Sequence, residues 1–357
     1  MNPPKAYKSL FVALLGITLG CGDPSYASDG EQEVRAASAA VVGGWAATNT
    51  QIFATVEIRH TGANGGFCSG TLISPLVVVT AAHCAVVEPS PGVVRTSSPG
   101  SLQVAAGHLH SLSVEDANVR PVFEVRVHPD YDHDFIMGRS RDGAGQGGIG
   151  APNDIALLLL ASPFENVPVA PLLTREREQA LVGHGDVGFV AGYGVYDLDD
   201  GLTGELYISD AVIDIIGPRE LLTTRIDPLG DSCYGDSGGP LYVPTDHGDF
   251  LVGLVSRGRS DVKRDCGDGG VYTLLSAHLS WIASEAGAKF QPRMDPERQE
   301  VSFVPEGADP ISAPSSRALQ RADSCAASPV DTETHAPLSA LASLMGLAAL
   351  RRRLSRR

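Results

Sequence analysis

Short runs of apolar and β-branched residues recur along the middle of the chain, and glycine-rich turns separate them. Apolar and polar side chains alternate in several of these runs, and a period of two residues predicts β-strands. The predicted strands span residues 52–60, 71–80, 121–128, 155–160, 188–191, 206–215 and 250–256. A long helical pattern first occurs over residues 275–286. Many short strands joined by turns favour an all-β domain, either a barrel or a sandwich.

The N-terminal apolar run has the pattern of a secretory signal. Lysines precede residues 10–19, which form an apolar core of the usual ~7–15 residues. Two cleavage sites remain open. The residues before Cys21 resemble a bacterial lipobox, which would place a lipid on Cys21, whereas those before Ser28 form an ordinary small-x-small site. We therefore expect a signal peptide over residues 1–27 and a propeptide over residues 28–40.

The C-terminal end carries a second targeting pattern. Cys325 is followed by a polar spacer, an apolar run over residues 336–350 and a cluster of arginines that favours the cytoplasmic face of a membrane. Residues 325–357 resemble bacterial C-terminal sorting tails, and the alternative is a small amphipathic helix ending in solvated charge. Residues 288–324 are rich in Pro, Ser, Arg and Glu, which indicates a linker. The folded domain is then expected over residues 41–287.

The amino-acid composition and net charge exclude several classes of protein. The 357 residues are 43% hydrophobic and 19% charged, which is typical of a folded protein and excludes wholesale disorder. The formal net charge of −15 argues against nucleic acid as a partner. No apolar run reaches the ~18 residues of a confident membrane span. With the patterns at the two ends, this predicts a protein that is secreted or anchored at the surface of a bacterial envelope, through a lipid on Cys21 or through the C-terminal tail.

Three motifs carry groups that together can perform nucleophilic catalysis. They are Thr-Ala-Ala-His-Cys around His83, Asn-Asp-Ile-Ala-Leu-Leu around Asp154 and Gly-Asp-Ser-Gly-Gly-Pro around Ser237. A serine hydroxyl is a weak nucleophile at neutral pH and needs a base such as imidazole, which a buried carboxylate orients. Glycines beside Ser237 permit a sharp turn that leaves the N–H groups of Gly235 and Ser237 free to form an oxyanion hole.

In this order, the three motifs resemble those of the trypsin-like, chymotrypsin-fold serine proteases, and the resemblance covers residues 41–287. It implies two antiparallel six-stranded β-barrels with a C-terminal helix. It also implies that His83, Asp154 and Ser237 form a catalytic triad that hydrolyses protein or peptide substrates through an acyl-enzyme. No cofactor is expected.

The resemblance assigns four of the 6 cysteines. Cys68 and Cys84 match the bridge that holds the catalytic histidine loop, and Cys233 and Cys266 match the bridge beside the specificity pocket. Bridges of this kind typically stabilise a fold by ~2–4 kcal/mol and persist outside the cytoplasm. The other cysteines lie in the end segments.

Val-Val-Gly-Gly at Val41 resembles the mature N-terminus of the family. A released α-amino group of Val41 would insert and pair with Asp236, next to the nucleophile. Removing one partner of such a buried pair costs about 3–5 kcal/mol. Ala40 precedes Val41, where trypsinogen-like zymogens carry Lys or Arg. We therefore expect an activating protease of another specificity, or a cut at Arg35 followed by trimming.

The resemblance also points to a substrate preference. Asp231 matches the floor of the specificity pocket, where a desolvated carboxylate pairs with an Arg or Lys side chain of the substrate. Gly258 and Gly270 match small residues lining that pocket, and Ser256 matches the residue that supports the triad aspartate. The alternative is that Asp231 is a solvated turn residue. Arg257 departs from the aromatic residue usual in the family, and its charge could repel a basic substrate.

The leading hypothesis is a secreted serine endopeptidase that cleaves after Arg or Lys. The alternatives are a catalytically silent binding protein of the protease fold and an active protease of non-tryptic specificity. No metal site is expected. The polar run over residues 128–134 lacks the glycine that a calcium loop needs after Asp134, and a solvated surface loop is favoured there. His108 and His110 lack the further ligands of a tetrahedral zinc site.

Overall fold

The structure is a computed structural model of the chain. It describes residues 44–48, 54–115, 118–139, 148–198, 200–224, 230–245, 248–260, 266–286, 290–295 and 300–305. All of these residues lie within one compact unit, Met1–Ser316. The expected signal peptide, propeptide and C-terminal tail lie outside the described residues, as do Cys21, Val41 and Cys325. In the part of the chain that is described, no helix is long and apolar enough to cross a membrane.

Strands dominate the described residues. The first strands are β1 (Trp45–Ala46), β2 (Thr55–His60), β3 (Gly66–Ser74), β4 (Val77–Thr80), β5 (Val86–Ser90), β6 (Val93–Thr96), β7 (Leu102–Ala106), β8 (Val119–Val127), β9 (Ala156–Leu160) and β10 (Leu172–Leu173). The later strands are β11 (Val187–Gly192), β12 (Val195–Asp197), β13 (Leu202–Thr203), β14 (Tyr207–Ile216), β15 (Glu220–Thr224), β16 (Pro240–Thr245), β17 (Gly248–Gly258), β18 (Gly270–Leu274), β19 (Phe290–Asp295) and β20 (Glu300–Pro305). The helices are α1 (His133–Ile136), α2 (Arg175–Leu181) and α3 (Leu279–Glu285), with short 3₁₀ turns that include Ala82–Cys84 and Leu275–His278.

Strands from the first half of the chain close into an antiparallel barrel in the order β2-β3-β4-β9-β8-β7. Aliphatic side chains fill its interior, and Ile58, Leu72 and Leu158 are among the largest that are fully buried. The strand predicted over residues 71–80 is instead the hairpin β3–β4. The chain turns at Pro75, which has no N–H to donate to a strand ladder.

A second antiparallel ring has the order β16-β11-β14-β15-β18-β17 and closes through pairing of β16 with β17. Its core includes Ile213, Leu221 and Tyr272. Strand β1 pairs with β14, so the segment just after Val41 lies along this barrel. The expectation of two six-stranded barrels is therefore confirmed. The C-terminal helix is confirmed as well, and it consists of α3 preceded by a 3₁₀ turn.

Two of the hairpins that were not predicted are β5–β6 and β19–β20. Part of the expected linker, residues 288–324, forms the hairpin β19–β20, in which β20 pairs with β10. Strand formation there depends on a partner strand distant in sequence, and the composition of the segment does not reveal such pairing. Strands β5 and β6 form a hairpin directly after the histidine motif. Its valines are mostly exposed, so no buried alternating face identifies it in the sequence.

Candidate active site

His83 lies on the 3₁₀ turn that follows strand β4 of the first barrel. The alanines of its motif are fully buried, so the turn packs directly against the barrel core. The Cys68–Cys84 disulfide, one of the two expected bridges, joins the turn to β3 with 6.1 Å between the Cα atoms. This fixes the backbone of His83, while 20% of its side chain stays exposed.

Asp154 holds the His83 imidazole in one orientation. One carboxylate oxygen accepts the Nδ1–H of His83 at 2.8 Å, and the other accepts the backbone N–H of His83 at 2.9 Å. Ser256 donates its hydroxyl to the same carboxylate at 2.6 Å, and Asp154 is completely buried. Because Nδ1 is engaged, Nε2 is the nitrogen that can take a proton from a nucleophile.

The two members of this pair shift each other's pKa. Burial acts to lower the pKa of His83, but the charge of Asp154 and the hydrogen bond to it raise that pKa above its usual value. Burial acts to raise the pKa of Asp154, but His83 and the hydroxyl of Ser256 bring it below its usual value. The site therefore keeps the carboxylate ionised and stabilises an imidazolium.

Ser237 lies on a loop before β16 that packs against the histidine turn. The backbone N–H of Ser69 donates to the Ser237 carbonyl oxygen at 2.8 Å. Gly238 has a φ of +78°, and a Cβ there would approach the carbonyl oxygen of Ser69 to 2.6 Å and the nitrogen of Ala81 to 2.7 Å, so only glycine fits. Within the described residues the Ser237 hydroxyl makes no hydrogen bond to His83. The backbone contacts are what bring the two motifs together.

The turn at Ser237 presents two backbone donors. Gly235 has a φ of +93°, and a Cβ there would lie 2.8 Å from the Cα of Gly194. The Cys233–Cys266 disulfide, the second expected bridge, anchors the turn. In the described part of the chain, the N–H groups of Gly235 and Ser237 donate to no acceptor. Two such donors on one turn can receive a developing oxyanion.

Asp236 is buried, and it is next to Ser237 in the sequence. Its carboxylate accepts the N–H groups of Gly194 and Cys233, each at 2.9 Å. Burial raises the pKa of Asp236 to about 7 in spite of these hydrogen bonds. A carboxylate in this condition favours a cationic partner. Val41, its expected partner, lies outside the described residues.

Asp231 is completely buried, which does not fit the alternative of a solvated turn residue. The hydroxyls of Thr223 and Tyr272 donate to its carboxylate, and Thr223 also accepts the N–H of Gly270 at 2.9 Å. Gly258 and Gly270 pair opposite each other in β17 and β18, so neither strand has a side chain at this point. Burial raises the pKa of Asp231, and the hydroxyl hydrogen bonds oppose that rise.

The sequence reasoning missed Thr223 and Tyr272. Alternation places Gly270 and Tyr272 on the same face of β18, so counting two residues along the strand identifies the tyrosine. Thr223 comes from β15, a strand that the sequence analysis did not predict, and only the fold reveals its contact with Asp231.

Arg257, the departure from the family pattern, is paired with an acidic side chain. Its guanidinium binds both carboxylate oxygens of Glu220, at 2.6 and 2.9 Å, and donates to the carbonyl oxygen of Gly148 at 2.9 Å. It also lies over the ring of Phe135, 5.1 Å from the centroid. The side chain of Glu220 is only 2% exposed. The charge that could repel a basic substrate is therefore paired with a buried carboxylate.

The polar run over residues 128–134 is partly helical, whereas the sequence analysis favoured a solvated loop. Asp132 caps α1 by accepting a backbone N–H of its first turn at 2.9 Å. His133 Nε2 lies 3.4 Å from a carboxylate oxygen of Glu88 in the β5–β6 hairpin, and Arg139 donates to the same carboxylate. These contacts join the β5–β6 hairpin, which follows the histidine turn, to the segment that contains α1.

Groups with metal-ligand chemistry have other roles in the described residues. Cys68, His83 and Cys84 are the group whose ligand atoms lie close together within that part of the chain, but the two sulfurs form a disulfide. His108 is buried, and its Nε2 lies 3.1 Å from a carboxylate oxygen of Glu57. Neither group supports a metal site.

Comparisons with known proteins agree with this geometry. A family model described as Trypsin matches residues 41–282, which include both barrels and all three motifs. Trypsin-1 of Astacus astacus is 29% identical over 236 residues, covering 62% of this chain and 88% of the relative. A vitellin-degrading protease of Bombyx mori is 28% identical, covering 68% of this chain and 84% of the relative. Ovochymase of Halocynthia roretzi is 25% identical over 70% of this chain, which spans only 15% of that much longer relative.

Proposed function

Because the chain belongs to the trypsin family of serine endopeptidases, we propose that it cleaves peptide bonds after Arg or Lys with His83, Asp154 and Ser237 as its catalytic triad. The observation that carries this proposal is the completely buried Asp154. One of its carboxylate oxygens binds the Nδ1–H of His83, which lies across the ring from Nε2, and the other binds the backbone N–H of His83. The proposal accounts for the raised pKa of His83 and for the packing of the Ser237 loop against the histidine turn.

The proposed reaction uses the triad side chains and the backbone N–H groups of the Ser237 turn. An extended peptide pairs with the backbone at Ser256 and Gly258, and the Ser237 hydroxyl attacks the scissile carbonyl while His83 Nε2 takes its proton. The N–H groups of Gly235 and Ser237 stabilise the oxyanion, each contributing roughly 3–4 kcal/mol. His83 then protonates the leaving amine. A water molecule, deprotonated by His83, hydrolyses the acyl-enzyme and releases Ser237.

Substrate preference rests on Asp231. The completely buried carboxylate of Asp231, which Thr223 connects to Gly270, suits a long cationic side chain, because the ion pair then forms away from bulk water. Because Arg257 is paired with Glu220, its charge does not argue against this preference. The alternatives are an active protease of non-tryptic specificity and a catalytically silent binding protein.

Matched fluorogenic peptides test the preference. Peptides that differ only in having Arg, Lys or Phe before the scissile bond are offered to protein that begins at Val41. We expect kcat/KM for the Arg and Lys peptides to exceed that for the Phe peptide by about 100-fold or more, because a buried unpaired carboxylate disfavours an apolar side chain. A preference for Phe would overturn the assignment of Asp231. Folded protein that cleaves no peptide would favour the silent binding protein.

Activation is proposed to depend on an ion pair between the new α-amino group of Val41 and Asp236. In protein that begins at Val41, Asp236→Asn is expected to lower kcat/KM by roughly 200- to 5,000-fold, the equivalent of about 3–5 kcal/mol. Asp249→Asn is the matched control, because burial also raises the pKa of Asp249, which lies in the β16–β17 hairpin. Mass spectrometry of the mature protein identifies its N-terminus. If the uncut chain is as active as the Val41 form, the ion pair is not the activating step.

The proposed location is outside the cytoplasm. Both disulfides favour an oxidising compartment, and the N-terminal pattern resembles a secretory signal. Attachment to a bacterial envelope would use a lipid on Cys21 or the C-terminal tail. An activating protease that cuts after Ala40 would then be a partner in the same compartment.

A further inference from the structure

A continuous line of hydrogen bonds runs from Glu220 to the catalytic histidine. Glu220 binds Arg257 through both carboxylate oxygens, and Arg257 donates from Nη1 to the hydroxyl of Ser256 at 3.2 Å. Ser256 donates that hydroxyl to Asp154 at 2.6 Å, and Asp154 accepts the Nδ1–H of His83 at 2.8 Å. Arg257, where the sequence departs from the family pattern, is therefore connected by hydrogen bonds to the catalytic pair Asp154 and His83.

Arg257 sets the direction of the Ser256 hydroxyl. A hydroxyl has one hydrogen, and a cation that donates to its oxygen leaves that hydrogen for another acceptor. The acceptor here is Asp154, so the Arg257 contact strengthens the hydrogen bond from Ser256 to the buried carboxylate. An aromatic side chain at this position carries no positive charge, and it has at most one N–H or O–H donor where the guanidinium has five.

Arg257 is held firmly enough for this role. Its side chain is 8% exposed, and it contacts β15 through Glu220, the segment before Asp154 through the carbonyl oxygen of Gly148, and α1 through Phe135. Glu220 also accepts the N–H of Gly150 at 2.7 Å. The guanidinium is thus held by contacts with three segments, and its charge is paired with the buried carboxylate of Glu220.

We propose that Arg257 is a positioning residue for the catalytic pair, acting through Ser256, and that Glu220 limits the effect of its charge on His83. The inference rests on the proposed function. It goes further in assigning a role to two residues that neither bind substrate nor belong to the triad.

The charges around His83 determine the direction in which each substitution should shift its pKa. Asp154 raises the pKa of His83, and Arg257 lowers it. Tyr131 also lies near Asp154, but burial raises its own pKa so far that it stays neutral. Removing the Arg257 charge should therefore shift the acid limb of activity to higher pH. Removing the opposing charge of Glu220 should shift that limb to lower pH.

Substitutions of Arg257 and Glu220 should thus shift the acid limb of activity in opposite directions. In full-chain protein processed at Val41, Arg257→Gln is expected to lower the ratio of kcat/KM at pH 6 to that at pH 8 by about threefold. Glu220→Gln is expected to raise the same ratio by about twofold. Arg257→Lys keeps the charge and should leave the ratio close to that of the wild type. Arg139→Gln is the matched control, because Arg139 also binds a carboxylate through two hydrogen bonds, to Glu88.

A second readout does not depend on activity. The NMR titration of His83 in Ser237→Ala protein should move to higher pH with Arg257→Gln and to lower pH with Glu220→Gln. The double variant, with both Arg257→Gln and Glu220→Gln, leaves no unpaired buried charge at this pair. Its His83 titration should shift to higher pH, as in Arg257→Gln, but by less. Shifts in the same direction for both single variants, or none in folded protein, would overturn the role of Arg257. Wild-type protein without peptidase activity would count against the proposed function alone, since the titration would still test the electrostatic link.

Discussion

Replacing Ser237 by alanine is expected to lower kcat for the Arg peptide by about 10⁶-fold, and replacing His83 as well should lower it little further. The hydroxyl and the imidazole act in one step, so the second change removes a base that no longer has a nucleophile to activate. The remaining rate should still exceed that of the uncatalysed reaction, because the donors of Gly235 and Ser237 are backbone groups that both substitutions retain.

The controls for this prediction are a serine and a histidine on the surface. Ser284→Ala removes a hydroxyl that binds the carbonyl oxygen of Trp281 on α3, and His184→Ala removes a side chain that is 80% exposed. Neither should change kcat by more than about twofold, as is usual for surface substitutions. If the effects of Ser237→Ala and His83→Ala instead multiplied in the double variant, the two residues would not be acting as one unit.

Replacing Asp231 by serine is expected to lower kcat/KM for Arg and Lys peptides by about 10⁴-fold, because a buried cation would then have no partner. The change should leave kcat/KM for the Phe peptide unchanged or higher, since no buried carboxylate remains to be desolvated. Thr223 and Tyr272 donate to Asp231 and would keep a partner in the new hydroxyl. The protein should therefore stay folded.

A change at an exposed acid separates this effect from a general loss of negative charge. Asp200→Ser removes one negative charge as well, but Asp200 lies on the surface. It should weaken cleavage of basic peptides only slightly and only at low salt. Equal losses for the Arg and Phe peptides in Asp231→Ser would show that the residue supports the fold and not the pocket. An unchanged preference for Arg would place the specificity elsewhere.

The sequence predicted most of what is local in the candidate site. The His83 and Ser237 motifs combine the proposed reacting group with the small residues that its turn requires, so the proposed chemistry and the backbone are encoded in the same short segment. Gly238 illustrates this, because both its positive φ and its close approach to Ser69 exclude any side chain. The strand pattern likewise indicated the all-β class, since alternation is a property of each strand alone.

The contacts that could not be predicted join residues from separate strands. Arg257 looked like an uncompensated charge because Glu220 belongs to β15, which the sequence analysis did not identify. Thr223, the hydroxyl partner of Asp231, was missed for the same reason. The hairpin β19–β20 was read as linker because its pairing with β10 depends on chain folding and not on its own composition. Which strands pair across a barrel depends on the topology of the fold, and the local pattern of a single sequence does not specify that topology.

The proposed activation of Ser237 by His83 can be tested with a fluorophosphonate probe. Full-chain protein, processed to begin at Val41, is treated with the probe, and the labelled residue is mapped by mass spectrometry. We expect a single adduct on Ser237, with peptide hydrolysis lost in proportion to labelling and no adduct in His83→Ala within the same time. Folded, processed protein that stays unlabelled, or that carries the adduct elsewhere while peptide hydrolysis is lost, would show that Ser237 is not the nucleophile.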